Sequence, residues 1–108
     1  MQLSLKQVRI LERLRSRGFV FVAFPMFATH VGVRKGNCAA LLAPEASGGL
    51  HILGEPCYLV GGNLSARIAR NGSQWFVWKK EKLEATSARL AELRRFALEL
   101  NEALLPSV

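Results

Sequence analysis

Two histidines and two cysteines are the residues of this chain best suited to chemistry. His30, Cys38, His51 and Cys57 are all of types that bind zinc. Their spacing argues against a metal, because a zinc finger brings its ligands in close pairs and no such pair exists here. Two buried cysteines and two surface or turn histidines are the simpler reading. A Cys–His nucleophile would need a thiol of lowered pKa beside an oriented imidazole, and nothing local supports one. The chain also has no aspartate; all eight acids are glutamates. That excludes aspartate-dependent triads, EF-hand loops and the aspartate-centred magnesium sites of kinases and polymerases.

Glu45 and Glu55 each stand beside a proline and read as solvated turn residues rather than paired carboxylates. The glycine-rich stretches Ser47-Gly48-Gly49 and Gly61-Gly62-Asn63 lack the lysine and the strand–loop–helix context of a phosphate cradle. The expectation is therefore no catalytic residue, no metal, no cofactor and no enzymatic activity.

Two constellations remain. Lys6, Arg9, Arg13 and Arg17 fall on one side of an N-terminal helix and form an arginine-rich stripe that could neutralise phosphates. The first 17 residues hold five of the 15 basic residues and one acid, so the net charge of +7 is concentrated there. A basic helix without a helix-turn-helix partner does not read bases, and a solvated face explains the stripe equally simply. The second constellation is Arg67, Phe76 and Trp78, which a hairpin would place on one sheet face. Arginine and aromatics are enriched at interfaces, but a helix covering that face would make the aromatics core. Both readings stand open on the sequence.

The elements that must position these residues follow from periodicity. Ser4 and Gln7 have capping-box spacing and Gly18 supplies a stop, so a helix is expected over residues 5–17, burying Val8, Ile10, Leu11 and Leu14. Strands are expected near residues 19–24, 27–34, 38–43, 50–53, 57–60, 64–70 and 74–79. Asn71-Gly72 between alternating runs signals a two-residue hairpin, with Arg67 opposite Phe76 and Ile68 opposite Trp75. The Leu64, Ala66, Ile68, Trp75, Val77 face is the expected core face. Thr86 is the expected N-cap of a second helix reaching about Leu104, with Leu98 and Leu105 outside its main apolar stripe.

The expected architecture is α+β: one domain over residues 1–108, with a bent antiparallel sheet of about five or six strands and a helix packed on it from each end of the chain. Residues 18–33 are uncharged, but Gly18, Pro25, Thr29, His30 and Gly32 interrupt them too often for a membrane span, and the segment before them reads as an ordered helix rather than the charged leader of a signal peptide, so a cytoplasmic protein is expected. The leading functional expectation is a small non-enzymatic binding or interaction domain, self-associating as a homodimer. Its partner surface is expected to draw on Arg67, Phe76, Trp78 and Leu98. Behind it stand polyanion binding through the first helix, and a ligand pocket or enzyme site assembled from distant strands.

Overall fold

Ser4 starts the first helix as its residue type favours. Its side chain accepts from the Gln7 backbone N–H at 3.1 Å, and Gln7 Oε1 accepts from the Ser4 N–H at 2.8 Å. Helix α1 (Leu5–Ser16) follows. Gln7 is also the buried polar side chain of the core, and its Nε2 donates to the Gly49 carbonyl at 3.1 Å. Ser4 Oγ donates to the neighbouring Gly48 carbonyl, so the helix start is tied to the loop over residues 45–49. Ile10 and Leu14 are buried as expected, whereas Val8 is 36% exposed.

The computed structural model describes residues 3–24 and 30–105. After α1 come β1 (Val20–Val22), β2 (Val31–Lys35), β3 (Cys38–Pro44) and β4 (Leu50–Tyr58), which form a four-stranded antiparallel sheet in chain order. Then β5 (Ala66–Arg70), β6 (Ser73–Trp78) and β7 (Glu81–Glu84) form a second antiparallel sheet, and α2 (Ser87–Leu104) follows from its N-cap Thr86. Among the described residues no helix is long and apolar enough to cross a membrane.

The architecture is α+β with a helix at each end, but it holds two sheets where one bent sheet was expected. The break lies between β4 and β5. Gly61 and Gly62 both have positive φ, and a Val60–Asn63 bridge closes that turn on itself. The chain thus reverses without letting β5 pair with β4. Two strand expectations also change. Residues 50–58 form one strand rather than two, because Gly54 at φ 71° bends it and the ladder shifts register opposite Ala39 and Leu41 instead of ending. Pro56 is tolerated there because β4 is an edge strand. Strand β7 was not expected at all. The first part of the strand expected over residues 27–34 lies outside the described residues.

One core joins both sheets and both helices. Leu14, Val33, Leu42, Phe76 and Leu100 are fully buried, each contributing about 1.5–3 kcal/mol by leaving water. The Phe19 and Phe96 rings lie 5.6 Å apart and tilted, joining the end of α1 to α2. Tyr58, at the end of β4, stacks on Phe76 of β6 at 5.0 Å. Gly32 is packed so closely that an added Cβ would meet the Val22 carbonyl oxygen, and the Phe24 ring at 2.8 Å.

The basic stripe is partly consumed inside this framework. Arg13 Nη1 donates to the Ala103 and Leu105 carbonyls at 3.0 and 2.7 Å, satisfying the C-terminus of α2. Arg17 lies 3.7 Å from Glu102 on the same helix. Arg13→Met, which keeps most of the apolar stem, should lower stability by about 1–2 kcal/mol. The exposed Lys6→Met should stay within about 0.5 kcal/mol. Urea denaturation of both variants checks this, and equal losses would deny Arg13 its capping role.

Candidate binding cleft

The Asn71-Gly72 turn positions the site. Both residues have positive φ, 53° and 77°, as a two-residue hairpin of the expected type requires. The register is the expected one, with Arg67 opposite Phe76 and Ile68 opposite Trp75. The faces are reversed, however. Phe76 is 1% exposed, and Trp78 and Leu83 pack against the same core. Ile68 is 41% exposed, on the side expected to be buried. The physical reason is cover: Tyr58 and α2 lie on the Phe76 side, and the Ile68–Trp75 side has Lys82 Nζ 4.9 Å from the Trp75 ring. Phe76 is therefore a core residue rather than an exposed interface aromatic.

Where the second sheet diverges from the first, α2 spans the gap and leaves an open cleft of about 830 Å³. Leu90, Leu93, Arg94 and Ala97 form its helical wall. They stand at i, i+3, i+4 and i+7, the spacing of one helix face. Deeper on the same helix, Phe96, Leu100 and Ala103 are buried, so the apolar stripe divides between core and cleft. Ser65, Ala66 and Arg67 on the β5 side also line it, with Gln74 and Phe76 of β6. Glu55, Pro56 and Cys57 of β4 complete the lining.

The polar groups of the cleft are of two kinds. Ser65 Oγ donates to the Tyr58 carbonyl at 2.6 Å and Cys57 Sγ to the Glu55 carbonyl at 3.3 Å, so both are engaged locally. Arg67 and Arg94, from elements far apart in the chain, are exposed and make no ion pair among the described residues. The cleft is thus an apolar surface with two available cations and one carboxylate, Glu55.

The Cys57 thiol is held above its ordinary pKa by burial and by the Glu55 carboxylate, against an opposing hydrogen bond from the Ser65 backbone. That is the reverse of an activated nucleophile. Cys38 lies in the core, and burial, aided by Glu92 and Cys57, pushes its thiol up to about 12. Burial and Glu92 likewise raise the Tyr58 hydroxyl, which donates to Glu92 Oε1 at 3.3 Å. His51, near the start of β4, sits 3.9 Å from Glu45. Among the described residues no three of His, Cys, Asp and Glu cluster closely enough to hold a metal ion.

The remaining residues named from the sequence are scattered. Trp78 packs against the core and lies beneath Lys79 Nζ, 4.6 Å from the ring. Leu98 is 62% exposed and outside the cleft. Lys6, Arg9 and Arg13 line a second, smaller cleft of about 610 Å³ beside Leu5, Glu45 and Leu104. Arg94, Leu90 and Leu93 are the cleft residues that sequence reasoning missed as a site. The signal was present in a cation set between leucines on one helix face, but it becomes legible only once β5 and β6 are known to stand opposite. Compared with known proteins, the chain matches no family model, no curated protein and no solved structure.

The buried thiol has a consequence for stability. Cysteine in an unfolded chain ionises near pH 8.5, whereas Cys38 holds its proton to about 12 when folded. A folded value above the unfolded one means that stability is complete below about pH 8.5 and declines as pH rises towards 12. Between these limits one such group contributes a loss of about 1.4 kcal/mol per pH unit. Denaturation midpoints over about pH 8–10 should therefore fall less steeply for Cys38→Ala than for the unmodified chain. Parallel slopes would show that Cys38 does not titrate this way.

Proposed function

We propose that this protein is a small non-enzymatic binding domain. Its cleft between β5–β6 and α2 receives a ligand that carries an anionic group on an apolar body. The observation that carries this reading is the convergence of Arg67 and Arg94 on one apolar cleft, with neither spent on an ion pair among the described residues. Ligand sites of this kind combine a mostly apolar lining with a few polar groups that fix orientation. Arginine suits carboxylate, sulfate or phosphate groups because its planar fork donates two parallel hydrogen bonds. Leu90, Leu93 and Ala97 supply the surface for the apolar part.

A non-catalytic role is supported by the state of the candidate nucleophile, since burial keeps the Cys57 thiol protonated. Polyanion binding through the first helix is less well supported. Arg13 and Arg17 are drawn into contacts with α2, leaving a smaller cationic surface than the sequence suggested.

The cleft is tested with one apolar chain carrying three different head groups. Saturable binding of 8-anilino-1-naphthalenesulfonate, an anionic aromatic probe, should be displaced by octyl sulfate more strongly than by octyl glucoside, and least by octylamine. Arg67→Ala with Arg94→Ala should weaken the probe about tenfold while leaving circular dichroism unchanged. Displacement that ignores the head-group charge, or binding unaffected by the two substitutions, would overturn the reading.

A further inference from the structure

Strand β5 is exposed at all five of its residues and forms the edge of its sheet. The hairpin register decides which backbone groups that edge offers. A two-residue turn is closed by a hydrogen-bonded pair, here Arg70 and Ser73, and hydrogen-bonded and non-hydrogen-bonded pairs then alternate. Ala66, Ile68 and Arg70 therefore spend their N–H and C=O groups on β6. Arg67 and Ala69 direct theirs to the open edge, and among the described residues no backbone bond from another element reaches them. An exposed edge of this kind is a template for another strand.

We propose that the strand it receives is β5 of a second copy, paired antiparallel across a two-fold axis through Ile68. The sequence Ala66-Arg67-Ile68-Ala69-Arg70 selects this register. Centred on Ile68, the pairing sets Arg67 opposite Ala69, Arg70 opposite Ala66, and Ile68 opposite itself. Every cation faces an alanine, and the outward amides of Arg67 and Ala69 bond each other. A pairing centred on Arg67 would also match amides, but it would set two guanidinium groups face to face. One centred on Ala69 would run into the Asn71-Gly72 turn. The favoured register alone uses the whole strand without opposing like charges.

The apolar side completes the case for a second copy. Ala66, Ile68, Trp75 and Val77 share the outward face, and Ile68 is 41% exposed there. The two-fold axis joins this strip to its counterpart, giving a continuous six-stranded sheet. A closed, self-complementary contact stops at two chains. On the other face Arg67 and Ala69 of both copies lie together, so the two clefts open side by side. The contact is small, which implies a dissociation constant on the order of 10–100 µM.

Substitutions at Ala69 test this without ligand present, because that exposed residue does not itself line the cleft. Sedimentation equilibrium from about 10 µM to about 1 mM should show a monomer–dimer equilibrium in the unmodified chain. Ala69→Arg, which opposes Arg67 of the second copy, should raise the dissociation constant about tenfold. Ala69→Glu should lower it by a similar factor, and only this variant should lose affinity steeply with salt. Thermal melts matching the unmodified chain would show that both variants fold. Hydrogen exchange at the Arg67 and Ala69 amides should slow as concentration rises. A monomer at every concentration overturns the inference, as do two variants that shift in the same direction. An acidic strand peptide adding to β5 of a monomeric chain would overturn the choice of occupant.

Discussion

The stacking of Tyr58 on Phe76 is the contact on which the rest of the structure depends. It joins the last residue of the first sheet to the middle of the second, at a ring separation of 5.0 Å. The Tyr58 hydroxyl reaches Glu92 of α2, so one side chain touches both sheets and the helix that crosses them. Because β4 and β5 do not pair, no ladder of backbone bonds fixes the angle between the sheets. Side-chain packing must do so, and close-packed aromatic rings resist sliding better than flexible aliphatic contacts. The cleft is the space left where that stack holds the sheets apart and α2 bridges them. Its shape is thus a property of the core.

The basic character of the chain serves several structural ends. Lys35 Nζ donates to Glu99 at 2.6 Å and to the Arg17 carbonyl at 2.8 Å, and stands 5.3 Å from the Phe19 ring. It therefore ties the end of α1 to α2 and to the first sheet at once. Arg13 closes the far end of α2, and Lys79 and Lys82 cover the two tryptophans of the second sheet. A formal charge of +7 read as one electrostatic feature would miss this division of labour. The arginines of the cleft differ from these in having no partner of their own to hold among the described residues.

Local chemistry was legible in the sequence, whereas cover was not. The Ser4–Gln7 box, the Thr86 cap and the Asn71-Gly72 hairpin depend on neighbours within a few residues, and all three form. Strand β7 escaped because Glu81, Lys82 and Glu84 surround a single inward leucine, which gives no alternating apolar signal. The face of the hairpin was misassigned because both of its sides are apolar, and alternation alone cannot say which one a distant helix will cover. The cleft was half legible. Arg67 and Phe76 were paired from the turn, but Arg94 joins them only through the packing of α2.

The two ends of the fold hold one another across most of the chain. Arg13 in α1 bonds the carbonyls of Ala103 and Leu105, 90 and 92 positions away. Closing a loop of that length costs on the order of 4 kcal/mol in chain entropy, far more than any hairpin here. In the chain α1 precedes every described strand and α2 follows them all. The hairpins can zip locally, whereas the Arg13 cap forms only when both helices are in place. The fold thus closes on itself through two helices that all seven described strands separate.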